Sequence, residues 1–189
     1  MHNMSLQLLI NSAIVLIIAY FIGAIPFGAL AGRLYGIDLL KTGSGSTGTT
    51  NVMRAIGFWP GLYVLLADVG KGALASFIAL NTVHLSVLVI GAGIVAMIGH
   101  SLSPFIGFKG GKSAATGIGV IMVIDWQVFL IVAGIVVLTI LITRYQSLAS
   151  LVGSAVTPIL LYLHKADMVS VLAVTIAVLF VWYKHIPNI

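Results

Sequence analysis

The chain is organised around the stretch Gly107-Phe-Lys-Gly-Gly-Lys-Ser113, which runs into Ala-Ala-Thr-Gly-Ile-Gly-Val120. It places three glycines and two lysines between long apolar runs, and Ser113 stands where it can cap the helix that follows. Consecutive backbone N–H groups at a helix start, next to the ammonium of Lys112, can bind a phosphate or a carboxylate. The stretch therefore predicts an anion-binding loop, and a flexible basic connector is the plain alternative.

A second segment of the same character lies upstream, Gly43-Ser-Gly-Ser-Thr-Gly-Thr-Thr-Asn51. Thr50 or Asn51 can cap a short helix over residues 52–56, which Gly57 ends. Arg54 would lie in that helix, and a guanidinium beside backbone N–H groups suits a phosphate dianion. The alternative is a solvated Gly/Ser linker.

The composition is that of an integral membrane protein. Of the 189 residues, 60% are hydrophobic and 7% are charged, whereas soluble domains average about 25% charged residues. The unbroken apolar runs exclude a membrane β-barrel, in which apolar and polar residues alternate. We expect an all-α fold: one polytopic membrane domain, residues 1–189, with about seven transmembrane helices. The predicted spans cover residues 6–32, 61–80, 85–98, 114–124, 128–142, 148–162 and 168–183.

The basic residues predict the orientation. With the N-terminus outside, the cytoplasmic connections hold seven Lys or Arg residues and the outer connections hold only Lys165. Positive charge accumulates on the cytoplasmic side of membrane proteins. The C-terminus and both glycine loops are therefore predicted to face the cytoplasm, where phosphorylated metabolites are found.

Several kinds of chemistry are excluded or disfavoured. Position 106 is Ile where a Walker A loop needs Gly, and no His/Glu metal spacing, cysteine or glutamate occurs. We therefore expect no metal and no cofactor. His100 is a possible base or phosphate ligand, and Asp68 and Lys71 share one helix face as either a functional or a self-neutralising pair. A phosphate site with few bases favours transfer chemistry that depends on positioning and charge.

Four segments together resemble one known family, the bacterial membrane glycerol-3-phosphate acyltransferases that use acyl phosphate. Gly43 to Arg54 resembles its GSGNxGATNxxR segment, and Asp68-Val-Gly-Lys-Gly72 its DxxKG segment. Gly99 to Thr116 resembles GHxxPxxxxFKGGKGVAT, and the ending Tyr183-Lys-His-Ile-Pro-Asn-Ile189 is similar to YRHRENI. The segments occur in the family's order over nearly the whole chain. Ser46, Thr49 and Ser113 depart from the family's Asn, Ala and Gly, as do Lys184 and Ile186-Pro187 at the end.

The resemblance implies a seven-helix enzyme of the bacterial inner membrane, with its site on the cytoplasmic face. It would transfer a fatty acyl group from acyl phosphate to the 1-hydroxyl of glycerol 3-phosphate, giving lysophosphatidic acid and phosphate. Acyl-CoA is not a donor in this family, and the phosphate of the donor is thought to take the hydroxyl proton. A soluble enzyme that makes acyl phosphate is an implied supplier and a possible transient contact, and no nucleic-acid partner is expected.

The site residues follow from the loops and from the resemblance. By motif position, the active-site residues are Ser44, Arg54, Lys112, His185 and Asn188. The residues expected to bind the phosphates are Gly43, Gly45, Thr50, Asn51, His100, Lys109, Gly110, Gly111 and Ser113. We expect Arg54 and Lys112 to neutralise phosphate, Ser44 and Asn188 to orient polar atoms, and both histidines to assist by hydrogen bonding.

Two other functions use the same loops. A transporter of phosphate esters would bind the anion at broken helices near the midplane, but the sequence has no convincing internal repeat. A non-catalytic scaffold would use the loops to dock a soluble protein.

Overall fold

The structure is a computed structural model that describes residues 2–83 and 85–188. Within those residues it is all-helical and contains no strand. The α-helices are α1 (His2–Ala24), α2 (Phe27–Leu34), α3 (Thr49–Ala55), α4 (Phe58–Thr82), α5 (Ser86–Ser101), α6 (Ala114–Ile124), α7 (Trp126–Thr143), α8 (Gln146–Leu163) and α9 (Met168–His185). Short 3₁₀ turns follow α5 (Pro104–Ile106) and α9 (Ile186–Asn188).

Each predicted span corresponds to helix in the structure, and the all-α membrane fold is confirmed. In the described part of the chain, six segments are long and apolar enough to cross a bilayer, with α1 and α2 forming the first. The remaining span, α6, has eleven residues, so it rises only about 16 Å against a hydrocarbon thickness of about 30 Å. It packs against α4, α5 and α7, which agrees with the predicted short span inside the bundle.

The first span is broken at Pro26, which has no N–H to donate. Two polar side chains satisfy the carbonyl groups next to the break. Ser103 Oγ donates to the carbonyl oxygen of Ala24 at 2.6 Å, and Lys71 Nζ donates to that of Ile25 at 3.1 Å. Broken helices are tolerated in membranes where neighbours supply such partners, so the break ties α1 to α4 and to the segment after α5.

Small residues allow the central helices to approach closely. A Cβ added to Gly99 would lie 2.3 Å from the carbonyl oxygen of Tyr20, where α5 crosses α1. A Cβ added to Gly119 would lie 1.9 Å from the carbonyl oxygen of Val69, where α6 crosses α4. Membrane helices associate by this kind of packing because lipid offers no hydrophobic drive between them. The outward surface, in contrast, exposes large apolar side chains such as Leu9, Ile17 and Leu141.

The connections separate into two groups at opposite ends of the bundle. At one end, Nε2 of Gln146 at the start of α8 lies 3.6 Å from Sδ of Met53 in α3, the helix that follows the first glycine loop. At the other end, His164 after α8 lies 3.2 Å from Asp125, the residue between α6 and α7. This grouping agrees with the predicted alternation of the spans. The assignment of the loop end to the cytoplasm stays a prediction from the charge partition.

Most helices extend beyond the predicted spans, and two of these differences concern the site and the connections. α5 continues to Ser101, so His100 lies in its last turn rather than beyond the helix. α7 begins at Trp126 because Asp125 caps it, accepting hydrogen bonds from the N–H groups of Gln127 and Val128. Asp125, as the capping residue, is therefore the only residue between α6 and α7, where the predicted spans leave a gap of three residues, 125–127.

The packing at the α4–α6 crossing gives a first prediction. Gly119→Ala should destabilise the protein by about 1–3 kcal/mol, because the new methyl group has no room against the α4 backbone. Gly134→Ala is the matched control, since nothing lies within 4 Å of its added Cβ. The check is thermal unfolding of both variants in detergent. Equal midpoints for the two variants would contradict the close crossing.

Candidate active site

The first glycine loop, residues 43–48, is organised by the side chain of Asn51. That side chain is buried, and its Oδ1 accepts a hydrogen bond from the Ser44 N–H at 3.1 Å. Its Nδ2 lies within hydrogen-bond distance of three backbone carbonyl oxygens, those of Leu39 (3.1 Å), Thr42 (2.9 Å) and Ser46 (2.8 Å). Because both ends of the amide are engaged by backbone groups, Asn51 fixes the path of the loop.

The close fit around Asn51 explains a glycine in this loop. Gly43 has φ +61°, and a Cβ there would lie 2.3 Å from Asn51 Oδ1. A side chain at this position would therefore be strained and would collide with the anchoring amide. Ser44 and Gly45, beside it, are exposed at the surface of the loop.

The predicted cap of the short helix was wrong. α3 begins at Thr49, and its N-cap is Gly48, with no side-chain cap. Thr50 and Asn51 lie inside the helix, and the amide of Asn51 holds the preceding loop instead of an N–H group. The amide of Asn51 therefore fixes the loop, and its contact with phosphate stays a prediction. The Oγ1 of Thr49 is buried without a hydrogen-bond partner among the described residues.

The second glycine loop, residues 107–113, lies directly on His100. The Gly111 N–H donates to the carbonyl oxygen of His100 at 3.3 Å. A Cβ on Gly110 would lie 2.0 Å from that oxygen, and a Cβ on Gly111 would lie 2.1 Å from Nε2 of the ring. Both glycines are therefore required by the close approach of the loop to the end of α5.

Ser113 occupies the N-cap position of α6, but the predicted hydroxyl cap was wrong. Its φ is +63° and its side chain makes no cap hydrogen bond. The hydroxyl instead donates to the carbonyl oxygen of Met97 at 2.5 Å and lies 2.8 Å from Ser101 Oγ. Ser101 Oγ in turn donates to the carbonyl oxygen of Gly111 at 2.9 Å. The left-handed backbone also explains why the resembling family has glycine at this position.

Three of the predicted active-site residues come together at the loop end of the bundle. Lys112 lies close enough to Arg54 of α3 and to His185 of α9 to interact electrostatically with both. Partial burial and the Arg54 guanidinium hold the pKa of Lys112 below the ordinary lysine value of 10.5. Ser44 is connected to this cluster through Asn51, which lies one helical turn before Arg54. The arrangement concentrates positive charge where an anion can reach it.

His185 is buried at the end of α9, with Nδ1 2.7 Å from the carbonyl oxygen of Val181. A carbonyl oxygen only accepts hydrogen bonds, so Nδ1 carries a proton and Nε2 is the nitrogen left for a ligand. The side chain of Asn188 lies outside the described residues. Lys109 is exposed, and no contact among the described residues joins its side chain to the cluster.

The residues that support the second loop were the ones that sequence reasoning missed. Ser101 holds the loop through Gly111 and Ser113, but nothing in its sequence context distinguishes it. Asp68 is recognisable in the sequence as a charge inside an apolar run. Its contact with His100, however, joins two different helices. Such a contact depends on how α4 and α5 pack, and spacing along the chain does not give it.

Comparison with known proteins points in one direction. A family model described as glycerol-3-phosphate acyltransferase matches residues 13–189. A glycerol-3-phosphate acyltransferase of a Synechococcus strain is 40% identical, covering 96% of this chain and 92% of the relative. One from Lactiplantibacillus plantarum is 36% identical, covering 93% of this chain and 86% of the relative.

Solved structures agree in fold. Crystal structures of PlsY, an integral membrane glycerol 3-phosphate acyltransferase, match with 31% sequence identity, covering 94% of this chain and 89% of that protein. The TM-score is 0.89 for the glycerol 3-phosphate form and 0.87 for the lysophosphatidic acid form.

The role of Asn51 gives a second prediction. Asn51→Ala should increase hydrogen exchange over residues 39–46, because the Ser44 N–H and three carbonyl groups lose their partner. Each buried group left without a hydrogen bond costs about 1–3 kcal/mol of stability. Asn81→Ala, an exposed asparagine that bonds only its own helix at Phe77, is the control. Hydrogen-exchange mass spectrometry in detergent measures both. Unchanged protection of this segment in Asn51→Ala would show that the amide does not hold the loop.

Proposed function

Since the chain belongs to the glycerol-3-phosphate acyltransferase family, we propose that its acyl donor is acyl phosphate. The products would be 1-acyl-glycerol 3-phosphate, which is lysophosphatidic acid, and inorganic phosphate, in the first step of phospholipid biosynthesis. The observation that carries the proposal is the cluster of Lys112 with Arg54 and His185 beside two glycine loops. Two phosphate-bearing substrates need such a concentration of positive charge and backbone donors.

The two cations have separate supports, which suits two phosphates held at once. Arg54 projects from α3, whose preceding loop is held by Asn51. Lys112 belongs to the loop held by the end of α5. The guanidinium of Arg54 and the ammonium of Lys112 repel each other, and an anion bound between them would offset that repulsion. We assign them the neutralisation of the donor and acceptor phosphates.

An apolar cavity beside the cluster offers a place for the acyl chain. It lies between α5, α6, α7, α8 and α9, and its lining is predominantly apolar. Ala114, the first residue of α6, and Val181, one turn before His185, both line it. The cavity therefore begins close to the charged cluster and continues among apolar side chains, as a fatty acyl phosphate requires.

The proposed reaction is a single acyl transfer. The 1-hydroxyl oxygen of glycerol 3-phosphate attacks the acyl carbonyl carbon and forms the new ester bond. The bond between that carbon and the phosphate oxygen breaks, and the phosphate leaves with the electron pair. The hydroxyl proton passes to the departing phosphate. Lys112 and Arg54 stabilise the charge that moves onto that phosphate, and the loops hold both substrates in reacting geometry.

Transfer of the proton to the donor phosphate is supported by where the aspartates lie. Each of the chain's four aspartates is engaged elsewhere: Asp38 with Lys41, Asp68 with Lys71, Asp125 at the start of α7 and Asp167 at the start of α9. None of these contacts places a carboxylate directly against Lys112 or Arg54. We assign His185 a hydrogen bond in which Nε2 accepts from a substrate hydroxyl and orients it, and Ser44 and Asn188 a similar orienting role.

We place the enzyme in the bacterial inner membrane with this site on the cytoplasmic face, as the distribution of basic residues favours. A soluble enzyme that forms acyl phosphate would then supply the donor from the same side. The same loops would also serve a phosphate-ester transporter, which is the alternative proposal.

The donor proposal is tested with purified protein in detergent. Palmitoyl phosphate with glycerol 3-phosphate should release phosphate and form lysophosphatidic acid in equal amounts, and palmitoyl-CoA should give no product. Lys112→Ala and Arg54→Ala should lower the rate by about a hundredfold or more, because each removes a group that stabilises the developing charge. Lys165→Ala, exposed at the opposite end of the bundle, is the control.

Each contrary result has a clear reading. Lysophosphatidic acid formed from palmitoyl-CoA would reject the donor, and full activity in Lys112→Ala would reject the role of that lysine. Glycerol 3-phosphate uptake into vesicles, without ester formation from either donor, would favour the transporter.

The lowered pKa of Lys112 gives a pH prediction. The folded protein disfavours the charged ammonium, so the cation is lost at a pH below the ordinary value of 10.5. The rate constant kcat/KM for glycerol 3-phosphate should therefore fall on the alkaline side below that pH. Lys112→Arg should move this fall to higher pH, because a guanidinium stays charged. Identical alkaline limbs for the two proteins, after subtraction of non-enzymatic hydrolysis, would assign the limb to another group.

A further inference from the structure

Asp68, Lys71 and His100 form a buried polar cluster between α4 and α5, inside the span region. Their exposed fractions are 2%, 4% and 8%. Ionisable side chains at such positions are costly to bury and usually have a function. The acyl transfer described above uses none of the three directly.

The contacts of the cluster run in one line across the bundle. Lys71 Nζ lies 2.8 Å from Asp68 Oδ1 and donates to the carbonyl oxygen of Ile25 at the break of the first span. His100 Nδ1 lies 3.5 Å from the same Oδ1 of Asp68. The opposite edge of the ring, Nε2, faces Gly111 of the second glycine loop. The line therefore connects the break after α1 to the loop that carries Lys112.

If Asp68 and Lys71 only neutralised each other, the contact of Asp68 with His100 would have no explanation. Lys71 alone would balance Asp68, yet the carboxylate oxygen is shared with the histidine of another helix. A histidine ring has two nitrogens, and the partner of one sets the orientation of the whole ring. Asp68 is the charged group in contact with Nδ1, and this attraction favours the ring orientation in which Nε2 faces Gly111.

We propose that Asp68 is a positioning residue for phosphate binding, acting through His100. The carboxylate fixes the ring, and the ring is the surface against which the backbone of Gly110 and Gly111 lies. The proposal deepens the proposed function, because Lys112 is the next residue along this loop. Lys71 neutralises the carboxylate and anchors it to the backbone at Ile25.

Because the ring of His100 lies directly against Gly111, the orientation of the ring affects the position of the loop. A single added carbon at Gly111 would lie 2.1 Å from Nε2, so no slack separates the ring from the loop. A ring that turns displaces the backbone N–H groups and Lys112 together. Displacement of about 1 Å in a binding group can lower a rate about a hundredfold.

The first test removes both charges at once, so that no unpaired charge stays buried. Asp68→Asn combined with Lys71→Met should weaken binding of glycerol 3-phosphate, or of inorganic phosphate, by about ten- to a hundredfold. Titration calorimetry in detergent without acyl donor measures it. In the transfer assay KM should rise more than kcat falls. Asp38→Asn with Lys41→Met, an exposed pair of the same spacing, is the matched control.

A second variant keeps the buried ion pair intact. His100→Asn retains an amide able to reach Asp68 but lacks the ring edge that supports Gly111, and it should weaken phosphate binding to a similar extent. Adding His100→Asn to the neutralised pair should cause little further loss, because both changes remove the same support.

The outcomes separate the inference from the proposed function. Unchanged phosphate affinity in a folded neutralised pair, or in His100→Asn, would overturn the inference, as would independent, multiplying losses in the combined variant. Weakened, non-additive phosphate binding would uphold it even if acyl phosphate proved not to be the donor, since the binding measurement contains no donor.

Discussion

The hydrogen bond from Lys71 to the carbonyl oxygen of Ile25 is the interaction on which the interior of the protein depends. A membrane offers no water to a carbonyl group at a helix break, so a side chain must supply the donor. Once an ammonium is brought into the bundle for this purpose, a carboxylate must accompany it. Asp68 is that carboxylate. Its second contact, with His100, links the helix break to the residue against which the second glycine loop lies.

The two glycine loops solve the same problem in different ways. Each must expose N–H groups towards an anion while its own backbone stays fixed. The first loop is fixed by one amide, Asn51, which engages groups on both sides of the loop. The second is fixed by the end of α5, where the His100 backbone and the Ser101 hydroxyl hold Gly111. In both loops the glycines serve close approach to the anchor as much as they serve the ligand.

The sequence predicts the spans and the convergence of the loops well, because those features are properties of apolar run length and of helix alternation. Lys112, Arg54 and His185 meet as their positions at three segment ends suggest. The capping roles of Asn51 and Ser113 were predicted wrongly, because capping propensity describes a residue type and not its partners. Both side chains bond backbone groups that lie elsewhere in the fold, and the contact of Asp68 with His100 likewise arises only from helix packing.

The electrostatics of the site follow from the same architecture. Arg54 and Lys112 repel each other, and the backbone beside each is fixed by hydrogen bonds. A bound phosphate would relieve that repulsion, so the pair favours occupation of the site by an anion. Occupation of such a site by an anion would stabilise the folded state, and the effect would increase with ligand concentration. In the proposed arrangement, the buried contacts from Ile25 to His100 support the second loop from the membrane interior.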